Sequence, residues 1–316
     1  MAVFTPISPD QAAAFLQAYD LGGLVALEGV EEGVENTNYR LETERGVFAL
    51  TLFEKRVNPA DLPFYLGLME HLADGGAPVP RPRRDRMGRL RGDLNGRPAV
   101  LVDWLPGAWL RAPGLPDHTA AGEALARLHA AADGFPFGRP NDLSVEGWRA
   151  LTQGCKGRAR GEHAAMLEAL EQEIAWLAAR WPTDLPSGPI HADYFPDNVL
   201  FEDGRVSGII DHYFACTDSL AYDLAIALNA WGFDRDGRAD VAALSGFRSG
   251  YEAVRPLRPE ERRALPLLCR GAAVRFTLSR LHDWLHHDPS WRVTPKDPAP
   301  FFRRLQWFQA GGDQAW

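Results

Sequence analysis

The stretch over residues 190–223 constrains this chain more than any other. It reads IHADYFPDNVLFEDGRVSGIIDHYFACTDSLAYD and sets His191, Asp193 and Asn198 in H-x-D-x-x-x-x-N spacing. Asp211 closes an apolar run of Val206, Ile209 and Ile210. Strand-like segments at 199–201 and 206–210 flank a turn at 202–204, so a loop followed by a hairpin gathers the polar side chains. A loop aspartate is ordinarily a turn or cap residue, and H-x-D alone arises by chance. The conjunction carries more: a base, an amide and a second carboxylate in this order are what phosphoryl transfer from a nucleotide requires. On that reading Asp193 accepts the proton of the attacking hydroxyl, and Asn198 and Asp211 are oxygen ligands for Mg²⁺. His191 is expected to hold the loop through backbone hydrogen bonds, and Asp223 to brace the loop or cap the next helix.

Residues 191–200 and 208–211 resemble the aminoglycoside-phosphotransferase-like branch of the protein-kinase fold. The longer text IIDHYFACTDSLAYDLAIALNAW, with GVENTNY at 33–39 and LTLFEKRV at 50–57, is similar to the bacterial homoserine kinases of that branch. The similarity runs along about residues 5–310. It implies an α+β, two-lobed protein-kinase-like fold, with an antiparallel-sheet N-terminal lobe and a larger, mainly helical C-terminal lobe. It also implies ATP and Mg²⁺ as cofactors and the hydroxyl of L-homoserine as acceptor, a step towards threonine. Another small acceptor (an aminoglycoside, choline or a different amino alcohol) and a non-catalytic nucleotide-binding relative are the alternatives.

Bulk properties agree with a small-molecule partner. A net charge of −8 and a pI near 5.6 disfavour nucleic acid, whose phosphates select basic faces. Cys155, Cys216 and Cys269 are odd in number and lack C-x-x-C spacing, which argues against a disulfide framework or zinc site and for a reducing cytosol. No stretch approaches the apolar length of a membrane span, and no signal-peptide pattern opens the chain. The expected setting is cytoplasmic.

Along the chain, Ser8-Pro9-Asp10-Gln11 is a helix start with a capping box, and Gly22-Gly23 a plausible stop. Strand alternation follows at 24–29, 38–43 and 47–53, a helix at 58–73, and strands at 83–91 and 98–104. Helical periodicity takes over afterwards, at 119–132, 160–180, 220–231, 240–254, 259–286 and 298–308. The change of pattern divides a nucleotide-binding lobe over 1–102 from a catalytic and substrate lobe over 103–316, with ligands favouring the cleft between such lobes. Residues 102–107 resemble an inter-lobe hinge, so Val102, Asp103 and Leu105 are expected beside the adenine. The loop 29–38 joins two strands as a phosphate-covering loop does, which makes Gly33, Asn36 and Asn38 candidate nucleotide contacts.

The acceptor makes its own demand. Homoserine is a zwitterion, and an arginine fork suits its carboxylate. The helix GAAVRFTLSRLHDWLH at 271–286 offers Arg275 and Arg280, and Tyr213 is a further candidate substrate contact. One departure from the kinase pattern stands out: Thr51 occupies the strand position where a Lys or Arg usually reaches the phosphates. Phe64 and Tyr65 stand where its helix carboxylate is expected, and Lys55 is the nearest basic residue.

Overall fold

The computed structural model describes residues 5–30, 36–54, 57–288 and 294–315. It divides into two compact units, Met1–Gly107 with Ser207–Tyr213, and Ala108–Val206 with Phe214–Trp316.

In the first unit, α1 (Pro9–Leu16) starts where its capping box places it. Ser8 Oγ accepts the Gln11 N–H at 3.2 Å, and Gln11 Oε1 accepts the Ser8 N–H at 2.9 Å. The helix stops at Leu16, short of the glycines at 22 and 23, and the chain turns so that Tyr19 is buried. The remaining elements are β1 (Leu24–Gly29), β2 (Thr37–Thr43), β3 (Gly46–Leu52), α2 (Leu62–Asp74), β4 (Gly92–Leu94) and β5 (Arg97–Asp103). The strands form one antiparallel sheet in the order β1-β2-β3-β5-β4. Along β2, buried Thr37, Tyr39, Leu41 and Thr43 alternate with half-exposed neighbours, the period-two pattern of a strand with one covered face. Tyr39 and Leu41 join Ala12 and Leu16 of α1, Leu50 and Leu101 in a single cluster.

The strand expected over 83–91 is a loop. Asp85 Oδ1 accepts the N–H groups of Met87 and Arg89, both at 2.9 Å, so a side chain satisfies the backbone where a partner strand otherwise would. Pairing resumes only at β4, which joins β5 through Asn95 (φ 51°) and Gly96 (φ 74°), the left-handed pair of a tight hairpin.

The second unit contains β6 (Ala108–Trp109), α3 (Leu115–Ala131), α4 (Val145–Cys155), α5 (Glu162–Ala178), β7 (Ser187–Ile190) and β8 (Val199–Glu202). β9 (Arg205–Ile209) then carries the chain back into the first unit, where the Ile209 N–H donates to Pro78 O at 2.7 Å. The second unit resumes with β10 (Cys216–Ser219), α6 (Leu220–Trp231), α7 (Val241–Val254), α8 (Pro259–Leu285) and α9 (Ala299–Gln309). Residues 221–231 of α6 are all buried, as a helix apolar on every side must be. α3 and α7 pack at backbone distance through Gly122 and Gly250. A Cβ on either would stand 2.1 Å from a carbonyl oxygen of the other helix, Phe247 O or Thr119 O. β7 pairs antiparallel with β10, with Ile190 opposite Cys216, so the strand entering the 191–198 loop lies beside the one that leads into α6. Among the described residues, no helix is long and apolar enough to cross a membrane.

Candidate active site

β7 delivers the chain into the loop 191–198, and Asp223, in the first turn of α6, pins that loop from behind. Its Oδ2 accepts the His191 N–H and its Oδ1 the Ala192 N–H, both at 2.8 Å. Ala192 sits at φ 62°, a left-handed conformation that costs a residue with a β-carbon about 1–2 kcal/mol. The two bonds to Asp223 hold it there, immediately before Asp193. The Asp193 N–H donates to His191 Nδ1 at 3.2 Å, so His191 braces the turn with its ring as well as its backbone. Asn198 Nδ2 donates to the Asp193 carbonyl at 2.8 Å and to Asp193 Oδ2 at 3.1 Å. Both partners can only accept, so the Asn198 amide presents its NH₂ to them, and its Oδ1 makes no hydrogen bond among the described residues.

Behind Asp223 lies a buried chain of polar groups. His129, at the end of α3, meets Asp223 Oδ2 through Nε2 at 3.0 Å and the Tyr251 hydroxyl through Nδ1 at 2.8 Å. A carboxylate only accepts, so Nε2 carries the proton and Nδ1 accepts the tyrosine O–H. The Tyr251 oxygen in turn accepts from Arg255 at 3.2 Å, and Arg255 donates to Glu261 at 2.8 Å. Burial drives the Asp223 pKa up, but the hydrogen bond from His129, the electrostatic pull of His129 and His191 and the bond from the His191 N–H outweigh it, and the net shift is downward. The carboxylate is held ionised. Nothing in the sequence singles out His129 or Tyr251. No spacing marks them, since His129 precedes its partner Asp223 by 94 residues.

In the first unit, Asp211 follows β9 at φ 61°, exposed, in a conformation that aspartate tolerates better than most residues. His212 beside it is buried, and its Nε2 donates to Ile209 O at 3.0 Å. Tyr213 packs edge-on against Phe53 (4.8 Å between centroids) and Tyr65 (6.0 Å). Its hydroxyl is hydrogen-bonded to Thr51, and burial, with Asp211 adding to it, pushes its pKa upward. Thr51 itself donates to Asn38 Oδ1 at 2.8 Å. Neutral hydroxyls and an amide thus occupy the strand position where a cation was sought. Asn36 is buried and accepts the Glu54 N–H at 3.4 Å. Gly33 and Lys55 lie outside the described residues. At the end of β5, Val102 pairs with Ala49, Asp103 is bridged by Arg83 at 2.5 Å, and the Trp104 N–H donates to Val47 O at 3.2 Å. Leu105, next along, makes no backbone hydrogen bond within the described residues.

The two candidate arginines of α8, Arg275 and Arg280, differ. Arg275 is 2% exposed, and neither its Nε nor its Nη1 finds a hydrogen-bond partner; its guanidinium lies 4.7 Å from the Phe276 ring centroid. Arg280 is half-buried over the Phe301 ring at 4.3 Å, with one long bond to Asp297 O at 3.5 Å. Burial pulls its pKa down to about 10, against the opposing pull of Asp193, Asp197 and Asp297. Arg280 therefore lies in the field of the loop carboxylates.

The sequence pattern of the phosphotransferase enzyme family matches residues 26–257. A homoserine kinase of Rhizobium meliloti (strain 1021) is 50% identical over 312 residues, covering 98% of this chain and 95% of its own. The chain belongs to this family, among its homoserine kinases. Solved structures share the fold at lower identity. An aminopropanol kinase associated with a microcompartment superposes with a TM-score of 0.72 at 17% identity, over 98% of both chains. An amicoumacin kinase bound to AMP-PNP and Ca²⁺ gives 0.69 at 14%, over 96% of this chain and 94% of its own. The fold is thus the α+β protein-kinase-like one, with an N-terminal antiparallel sheet and a mainly helical C-terminal part. This small-molecule kinase uses ATP and a divalent metal.

The donor set suits such a metal. Mg²⁺ is ordinarily held by one or two carboxylates, waters and the phosphates of its nucleotide rather than by an all-protein cage. Among the described residues, no group of three or more His, Cys, Asp or Glu side chains could hold a metal by itself. Asn198 Oδ1 and the Asp211 carboxylate are hard oxygen donors of the required kind.

Proposed function

We propose that this kinase transfers the γ-phosphoryl group of ATP to the side-chain hydroxyl of L-homoserine, the reaction for which its relatives are named. The observation that carries the assignment of roles is the build of the 191–198 loop. A strained Ala192, tied by a buried ionised Asp223, presents Asp193 with its carboxylate oriented by Asn198. Asp193 takes the proton of the acceptor hydroxyl as the new P–O bond forms and ADP leaves. Asn198 Oδ1 and Asp211 hold the Mg²⁺, which when bound neutralises charge on the β- and γ-phosphates. Val102, Asp103 and Leu105 shape the adenine site, and the unengaged backbone of Leu105 suits hydrogen bonding to the base edge. Asn36, Asn38 and Gly33 belong to the phosphate side, Tyr213 to the substrate side, and an arginine of α8 to the acceptor's carboxylate. The three cysteines are free and buried, in keeping with a cytosolic setting.

ADP release from a panel of L-homoserine, 3-aminopropan-1-ol, choline and an aminoglycoside tests the reading. Homoserine is expected to show the highest kcat/KM. A clearly better acceptor elsewhere in the panel replaces homoserine as substrate, and ATP binding with no turnover on any acceptor points to a non-catalytic relative.

A further inference from the structure

A second buried arginine stands beside Arg280. Arg304 of α9 lies over the same Phe301 ring, 3.9 Å from its centroid, against 4.3 Å for Arg280. It is 6% exposed. Two of its nitrogens donate to backbone, to Asn229 O and to Asp234 O (3.3 Å), while its Nε has no partner. Neither guanidinium is within salt-bridge distance of a carboxylate among the described residues. Phe301 also packs on Phe276 at 5.1 Å and Phe195 at 6.1 Å, and Phe195 is two residues beyond Asp193 in the same loop. Burial, with the nearby charge of Arg280 adding to it, pulls the Arg304 pKa down to about 9 against the opposing pull of Asp234. Both stay protonated at neutral pH, because a guanidinium is too weak an acid to lose its proton there.

Two like charges, partly desolvated and sharing one aromatic ring, are costly in the absence of an anion. A structural arginine is normally answered by a carboxylate, as Arg270 is by Glu173 in this unit (2.6 and 2.7 Å). From this contrast we infer that Arg280 and Arg304, with Phe301 between their contacts, form the subsite for the acceptor's α-carboxylate, Arg280 binding it directly and Arg304 adding charge from the side of α9. The inference rests on the homoserine reading and sharpens it, by placing the carboxylate on the Arg280 side of α8 rather than at the sealed Arg275. It also gives the site a reason to prefer an amino acid over an amino alcohol. Charge-assisted bonds contribute the difference only when the carboxylate is present.

The test compares kcat/KM for L-homoserine with that for 3-aminopropan-1-ol, the same molecule without the carboxylate. In Arg280→Met the preference for homoserine is expected to narrow about 10–100-fold, the range for loss of hydrogen bonds to a charged group. Arg304→Met should narrow it by a smaller factor, roughly 3–10-fold, and Arg304→Lys should keep most of it, since the charge remains. The double variant should narrow it by less than the product of the two, because one carboxylate serves both. Melting temperatures separate the other role available to Arg304, which is to cap the carbonyls at Asn229 and Asp234. If Arg304→Met lowers the melting temperature but leaves the preference unchanged, Arg304 is only a structural cap. If Arg304→Met does not fold, Arg304→Gln is measured in its place. An unchanged preference in Arg280→Met overturns the subsite while leaving a homoserine kinase. A wild-type enzyme that fails to phosphorylate homoserine overturns the substrate reading itself.

Discussion

Behind the 191–198 loop, Asp223 is a fully buried carboxylate met by a donor on each side; along α8 and α9, Arg275, Arg280 and Arg304 form no salt bridge among the described residues. Both clusters belong to the helical unit, and both bury charge. Asp223 receives two backbone N–H groups and the His129 ring, and these bonds more than offset its desolvation. Arg275, Arg280 and Arg304 meet aromatic rings, backbone carbonyls and the Tyr222 hydroxyl, with no salt bridge to a carboxylate among the described residues. A buried charge that is fully answered holds geometry, whereas one left unanswered costs free energy until an anion arrives. On the proposed reading, the difference separates the residues that position Asp193 from those that receive the acceptor.

The sharpest way to break the comparison is at the base that the Asp223 side exists to hold. Asp193→Asn is expected to fold normally and to lose about 10²–10⁴-fold in kcat, the usual contribution of a positioned proton acceptor. Steady-state kinetics with homoserine and ATP measure it, and near-normal turnover would remove Asp193 from the mechanism.

One layer deeper, Asp223→Ala leaves His129 and two loop N–H groups without their acceptor, and should cost about 3–5 kcal/mol of stability, as breaking a buried pair does. Denaturant titration reads this directly. The same carboxylate sets an acid limit. Its folded pKa lies below the ordinary value near 3.8, so the stability it contributes is complete above that value and is lost as pH falls through the folded pKa. Melting temperature should therefore drop steeply below about pH 4, where the unfolded carboxylate starts to bind protons. A Asp223→Asn variant should show a flatter acid limb.

Tyr251→Phe tests how far the network reaches. It takes the donor from His129 Nδ1 and an acceptor from Arg255, at a cost of about 1–3 kcal/mol for buried groups left unmade. If His129 and Tyr251 position the loop, kcat falls while KM for ATP stays near wild type. A fall in stability alone would make them purely structural. The smallest effect is expected on the other side. Arg275→Met removes a buried cation that has no anionic partner, so the melting temperature should hold or rise. A loss as large as that of Asp223→Ala would show that the two clusters do not differ as described.

The 191–198 loop and its internal bonds were legible because its parts are close in sequence and each residue type has few uses in that order. His191, Asp193 and Asn198 fall within one loop, and Asp223 opens α6 at the end of the same stretch, beyond three short strands; local bonds such as Asn198 to Asp193 follow from nearness in sequence. The capping box at Ser8 and Gln11 was legible for the same reason. The strand expected over 83–91 was not, because the Asp85 side chain competes for the backbone donors that a strand partner would have used. His129, Tyr251 and Arg304 were beyond the reach of spacing. Each meets its partner across helices far apart in the chain.

By itself, then, the sequence determined the class of chemistry: an aspartate, an amide and a second aspartate in the order that phosphoryl transfer uses, on a chain whose pattern changes from strand to helix. Only the tertiary structure decided which charges are answered. Whether a buried carboxylate or guanidinium has a partner depends on which side chains the packing of α3, α6, α7, α8 and α9 brings within about 3 Å, the range over which hydrogen bonds form. That proximity is a property of the folded core, and no local pattern of residues encodes it.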